Sequence, residues 1–231
     1  MNSNRCPRII ALMAFYCLAG AASGQSPQSP DGLVKVKPRQ MELAWLLPGA
    51  DFRPYTKVII DRTQVAFREN LLKDYNLSAG LGKRVSEEQA ARILAAAQTN
   101  FDEVFSDAFR KAGYEVVTTN GPDVLRVNSA ILVLALNAPL GQGAGHTSLI
   151  STAGKAALIV EVRDSITNAL LGRIADGRET QDLGPHIATT ATNIYDSRSL
   201  FTLWAGTCVK SLGELKSVSP VPKDLTPNQS L

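Results

Sequence analysis

A chain of 231 residues with 45% hydrophobic and 19% charged content carries enough apolar material for a packed core and lacks the composition of a globally disordered protein. Its formal charge of +3 falls to +1 once Arg5 and Arg8, in a segment predicted to be removed, are set aside, and a near-neutral chain with 6% aromatic residues lacks the electrostatic footprint of a nucleic-acid binder. No apolar run reaches the ~18 residues needed to span a bilayer, so no transmembrane helix is expected in the mature chain.

Residues 1–24 read as a secretory signal: a basic start at Arg5 and Arg8, an apolar run from Ile9 to Ala19, and small residues from Gly20 to Gly24. Small side chains at Ala22 and Gly24 predict cleavage after Gly24, with Ala22 as the neighbouring choice. Cys6 and Cys17 then leave with the signal, and Cys208 is the single thiol of a mature chain that holds no internal disulfide. Lipid attachment through Cys17 is disfavoured, because bulky Phe15 and Tyr16 stand where lipoprotein signals carry small residues. The expected destination is the periplasm of a Gram-negative-type cell.

The mature chain starts with a proline-bearing stretch, residues 25–40 (QSPQSPDGLVKVKPRQ), expected to be a poorly ordered linker. One domain follows over 41–216. The β-branched run Lys57 to Arg68 predicts a strand. Ser86-Glu87-Glu88-Gln89 has the form of a capping box, and Leu94, Phe101, Phe105 and Phe109 recur at helical spacing until Gly113, predicting a helix over 86–112. A short strand is expected at Tyr114–Thr118 and a long one at Asp123–Asn137. Lys155–Arg163 alternates Ala156, Leu158, Val160 and Val162 against a face bearing Glu161 and Arg163, the pattern of a half-buried strand. Asp164 to Asn168 predicts a hairpin turn, with Asn168 in the left-handed region and a return strand over Ala169–Thr180. Leu200, Phe201, Trp204, Cys208, Leu212 and Leu215 outline an amphipathic helix over 197–216, with Trp204 as a core anchor. Residues 217–231, with Pro220, Pro222 and Pro227, are expected to form a disordered tail. The order predicts an α+β fold: a single two-layer domain with a largely antiparallel sheet and two helices on one face.

The long strand poses a question, because Ile131, Val133 and Ala135 share one face and Leu132, Leu134 and Leu136 the other. Both faces therefore need cover. Met41–Leu47 (MELAWLL) is expected to fold back over the second face. Should it lie elsewhere, Leu132 and Leu134 belong to an exposed apolar patch of the kind that marks docking or dimerisation.

Chemistry-bearing motifs are weak. Gly141-Gln142-Gly143-Ala144-Gly145-His146 departs from the dinucleotide fingerprint, since His146 replaces the third glycine and a strand rather than a helix follows. It reads as a connection between strands. His146 and His186 stand forty positions apart with no cysteine partner, and nothing in their spacing asks Glu161 or Asp164 to complete a zinc site. Cys208 lies on the apolar stripe beside Trp204, where burial makes a thiol inert. Asp164 and Asp176, across the hairpin, form the most visible carboxylate pair for acid and base work, although such residues usually occupy solvated faces and turns. No catalytic, cofactor-binding or metal-binding residue is assigned, and no cofactor is expected.

The blocks LPGADFRPYTKVIIDRTQVAF from Leu47, AGYEVVTTNGPDVLRVNSAI from Ala112, LIVEVRDSITNALLG from Leu158 and SLFTLWAGTCVKSLGELK from Ser199 carry a family likeness. On them the stretch Met41–Lys216 resembles a bacterial envelope family, domain of unknown function 3313, which includes proteins classed as lipoproteins. The resemblance implies a cell-envelope protein without an assigned activity and supplies no catalytic residues; the poor acylation context of Cys17 sets this chain apart from the lipoproteins. The expected function is that of an exported non-enzymatic module that binds another envelope protein, with no nucleic-acid partner and with peripheral membrane association left open. A periplasmic protein binding a small molecule or lipid in a pocket between helix and sheet is the alternative, and a hydrolase the third reading.

Overall fold

The two apolar runs that begin at Lys57 and Val124 meet as neighbours in a mixed, mostly antiparallel eight-stranded sheet. The computed structural model describes residues 31–79, 84–133, 149–150, 155–179, 186–187 and 190–230. Its strands are β1 (Val34–Val36), β2 (Leu43–Leu46), β3 (Lys57–Ile60), β4 (Gln64–Phe67), β5 (Glu115–Val116), β6 (Val124–Val133), β7 (Leu149–Ile150), β8 (Lys155–Asp164), β9 (Leu170–Glu179) and β10 (His186–Ile187). Its helices are α1 (Leu71–Ser78), α2 (Glu87–Lys111) and α3 (Thr190–Val218). The main sheet runs β1-β2-β9-β8-β6-β3-β5, with β4 also on β6, while β7 and β10 form a separate pair. Pairing is antiparallel from β1 through β6, and parallel where β3 and β4 meet β6 and where β5 meets β3. Parallel neighbours need a long crossover, and α2 supplies it.

The predicted two-layer α+β architecture is what is observed. Phe101, Phe105 and Phe109 of α2 and Phe201 and Trp204 of α3 share one core with Val58, Leu125, Val127, Ile131, Leu158 and Val160 of the sheet. Phe101 stacks on Phe105 at 4.8 Å between ring centroids and meets Phe201 edge-on at 5.2 Å, which locks the two helices together. The capping box forms in full, with the Gln89 amide donating to Ser86 Oγ at 3.2 Å and the Ser86 amide donating to Gln89 Oε1 at 2.8 Å. Gly113, at φ +89°, turns the chain out of α2 in the left-handed region that a side chain would resist. Asn168 makes the expected left-handed turn at φ 59°.

Three elements depart from expectation. The strand expected over 57–68 is broken in two. Lys57–Ile60 pairs with Val124–Val127 and Gln64–Phe67 with Ala130–Val133, so Asp61, Arg62 and Thr63 oppose only Asn128 and Ser129. This is a bulge, and α2 accepts the backbone groups it strands: the Thr63 amide donates to Asp102 Oδ1 at 3.1 Å and the Gln98 side-chain amide donates to the Thr63 carbonyl. The buried Thr63 and Ser129 hydroxyls bond each other at 2.7 Å. Secondly, α1 forms between β4 and α2, a helix beyond the two expected, and Asn76 ties it to the start of α2 through both backbone groups of Val85 at 2.8 Å. Thirdly, α3 begins at Thr190, seven residues before the expected start.

Both flanks of the domain also need correcting. The stretch expected as a linker contains β1, and Leu33, Val34 and Val36 are buried. The tail expected to be disordered packs against that same edge. Val221 and Leu225 are buried, Val221 exchanges backbone hydrogen bonds with Gly49 and Ala50, and the amides of Asn228 and Lys37 donate to Lys35 and Gln229 at 2.8 and 3.0 Å. Its prolines exclude helix, but the tail uses two apolar anchors and the edge of a distant strand, which need no local periodicity. The described domain therefore runs from Asp31 to Ser230. The signal segment 1–24, Cys17 and residues 25–30 lie outside the described residues.

One close approach sets the seating of β2. At Gly172 an added Cβ would stand 3.1 Å from Leu46 Cδ2 and 3.3 Å from the Trp45 carbonyl, next to the bulge where β8 and β9 change register. Gly172→Ala is expected to cost about 1–3 kcal/mol, the usual penalty of overpacking, measured by denaturant unfolding. An unchanged midpoint would mean that β2 seats without this contact.

Candidate functional site

The segment Met41–Leu47 does not fold over the second face of the sheet; Leu43–Leu46 joins it edge-on as β2 beside β9. Hydrogen bonding to the open β9 edge satisfies this short apolar segment's backbone groups, which lying flat over another strand would not. The second face is accordingly open where β6 and β8 cross it, with Leu132 40% and Ile159 46% exposed.

Register arranges this face in rows. Gln64, Ala130, Ile159, Ala175 and Leu43 stand directly opposite one another across β4, β6, β8, β9 and β2, and Ala66, Leu132, Ala157 and Gly177 form the next row. Small residues keep the surface flat, and Leu132 and Ile159 rise from it. On the other side of the first row lie Asn128, Glu161, Arg173, Trp45 and Lys35. Glu161 accepts from Arg163 at 2.8 Å and from Arg173, which also reaches Asp31 at 2.9 Å. Burial pushes the Glu161 carboxyl up, but the hydrogen bonds from Arg163 and Arg173 outweigh it and hold the group below its ordinary value. Beyond them Arg126 grips Asp61 through two bonds of 2.7 and 2.9 Å. The arginines and carboxylates of this row are thus matched within the chain, with Lys35 exposed at its β1 end, and next to it lies a flat apolar field about 15 Å wide across β6, β8, β9 and β2, with the exposed Gln64 at its β4 end.

Of the residues the sequence singles out for this face, Leu132 is in place, while Leu134 and Leu136 lie outside the described residues. Ile159 belongs to the face without having been singled out. An isoleucine on the polar parity of Lys155–Arg163 is its signal, muted by the Glu161 and Arg163 beside it.

The candidates for chemistry are scattered. Asp164 and Asp176 do not come together: Asp176 pairs with Leu158, six positions along β8 from Asp164, or roughly 20 Å. Asp164 holds the hairpin, accepting from the amides of Ile166 and Thr167 and from the Tyr55 hydroxyl at 3.0, 2.7 and 2.9 Å. The Thr167 amide above all keeps its carboxyl below the usual aspartate range. Asp176 is buried beneath α3, where it accepts from the Trp204 indole at 2.8 Å, Arg178 at 2.6 Å and the Glu42 amide at 3.0 Å. Cys208 is buried close by, and burial, with the Asp176 carboxylate adding to it, pushes its thiol far above the ordinary range. The glycine-rich run Gly141–Gly145, His146 and the side chain of His186 lie outside the described residues. Among the described residues no group of three His, Cys, Asp or Glu is placed to hold a metal ion, and no helix is long and apolar enough to cross a membrane.

Comparison with known proteins adds a family. The profile of a protein of unknown function, DUF3313, matches residues 27–208. The chain matches no curated protein. Among solved structures it is similar to the PelC dodecamer from Paraburkholderia phytofirmans, with 9% identity, a TM-score of 0.35 and coverage of 71% of this chain and 96% of that one. Protein XCC0632 from Xanthomonas campestris, assigned to DUF330, is similar at 14% identity and a TM-score of 0.38, covering 80% of this chain and 95% of its own. At such scores neither likeness bears on function.

Proposed function

Since the chain belongs to DUF3313, a family of proteins of unknown function, we propose from its geometry that it is an exported, non-enzymatic module of the cell envelope that docks another envelope protein through the open face of its sheet. The observation that carries this reading is the pair Leu132 and Ile159, left 40% and 46% exposed at the centre of two apolar rows. A flat patch of small side chains with two protruding aliphatic groups suits an equally flat apolar surface on a partner, because the arginines and carboxylates beside it are already paired with one another within the chain. The signal pattern of residues 1–24 supports export to the periplasm. The carboxylates and the thiol described above all have structural duties, which supports a binding role over a hydrolytic one.

The double variant Leu132→Ser, Ile159→Ser tests the reading. Both side chains are half in solvent already, so the melting temperature is expected to stay within a few degrees. Crosslinking capture from the native envelope and sedimentation of the purified protein then report association. Loss of a specific partner, with an unchanged melt, supports docking on another protein, whereas loss of self-association identifies a second copy as the occupant. A collapse in stability with association intact would overturn the proposal and make the face ordinary core.

A further inference from the structure

Near β1 and β2 the helix-facing side of the sheet is not fully sealed. Ile174 stands on that side of β9, opposite the buried Val160, and yet is only half-buried. Leu215 continues the stripe of α3 that buries Trp204, Cys208 and Leu212, and it too is only half-buried. Between them lies an open-mouthed pocket of about 140 Å³, floored by Ala44, Leu46 and Ile174 and walled by Leu215. Ala44 is what makes the room, since a small side chain there faces the last turns of α3.

The mouth of the pocket is charged. Lys37 and Arg39, in the connection from β1 to β2, line it together with Glu214 of α3. Arg126, Arg163, Arg173 and Arg178 all hold carboxylates, whereas neither Lys37 nor Arg39 has an ion-pair partner among the described residues, and both are exposed. Two unmatched cations against one carboxylate leave the rim net positive over an apolar floor. We propose that this pocket binds a medium-chain fatty acid, with the carboxylate at Lys37 and Arg39 and the alkyl chain between α3 and the β1–β2 edge. An apolar cavity of ~150 Å³ accepts a benzene-sized guest, so about six carbon atoms fit inside and a longer chain leaves through the open side. The site lies on the helix-bearing side of the sheet and is independent of the proposed docking face.

Titration calorimetry of the full chain with octanoate, and with octylamine as the charge-reversed control, tests this. Saturable binding of octanoate at one site is expected, with no saturable binding of octylamine. Lys37→Glu with Arg39→Glu alters only exposed side chains and is expected to weaken octanoate by about tenfold or more, the loss of at least one charge-assisted contact. Ser211→Phe, which places an aromatic ring at the pocket wall, is expected to abolish binding. The Leu132→Ser, Ile159→Ser variant is expected to bind octanoate as the wild type does, which separates this site from the docking face. Absence of saturable binding, equal affinity for octylamine, or affinity unmoved by the charge reversal would each overturn the proposal, and the charge reversal keeps the test decisive should Ser211→Phe fail to fold.

Discussion

Trp204→Ala is expected to destabilise the protein by ~3–5 kcal/mol, a large share of the stability of a domain of this size. Trp204 is fully buried, lies 6.4 Å from Phe201 between ring centroids, and through Phe201 reaches the Phe101–Phe105 stack of α2. The truncation would therefore leave a cavity at the junction of this aromatic chain with the sheet, and would also strip a hydrogen-bond donor from the buried Asp176. Trp204→Phe separates the two losses. It keeps most of the ring volume and removes the indole N–H, so its cost is expected at ~1–3 kcal/mol, the range for a broken bond to a buried charged acceptor. Urea unfolding of both variants measures the difference. If Trp204→Ala melts within a degree or two of the wild type, α3 is not anchored through this residue.

The parts of this fold legible in the sequence are those whose determinants are local. Ser86 and Gln89 close a capping box within one turn, Gly113 ends the helix that they begin, and Asn168 turns a hairpin between two long strands. Where the deciding partner is far along the chain, the local pattern misleads. Residues 217–231 look disordered because their prolines hide a pairing of Lys37 with Ser230, nearly the whole domain apart in sequence. Thr63 looks like one more strand residue, and only Gln98 and Asp102 on α2 turn it into a supported bulge. The open face of the sheet is legible as an alternative, because the apolar residues on both parities of β6 demand a second cover. Which alternative holds depends on where Met41–Leu47 goes, and a short apolar segment with an open sheet edge nearby gains more hydrogen bonds as a strand than as a lid. The pocket beside Ala44 depends on the spacing between α3 and the sheet edge, which no local pattern encodes.

Asp176 illustrates the same rule and makes the sharpest prediction. By sequence it is an acidic residue on the predicted return strand, where a carboxylate usually faces solvent. In the fold it is 5% exposed and accepts from three donors that arrive from separate segments: Glu42, 134 positions away, Arg178 on its own strand, and Trp204 on α3. Asp176→Ala removes the acceptor and leaves all three donors behind. Arg178 is about one-third exposed and recovers hydration, but the Trp204 indole is fully buried and the Glu42 amide, just before β2, is partly so. The expected cost is ~2–4 kcal/mol, most of it from those stranded donors rather than from the exposed half of the ion pair. Asp176→Asn retains one carbonyl oxygen and is expected to cost less, because that oxygen still accepts from the buried indole. Combining Asp176→Ala with Trp204→Phe completes a double-mutant cycle. The two losses share the bond from Nε1 to Oδ2, so the combined cost is expected to fall short of the sum by ~1 kcal/mol or more. Full additivity would show that the indole and the carboxylate act independently, and that the hydrogen bond between them does not help hold α3 on the sheet.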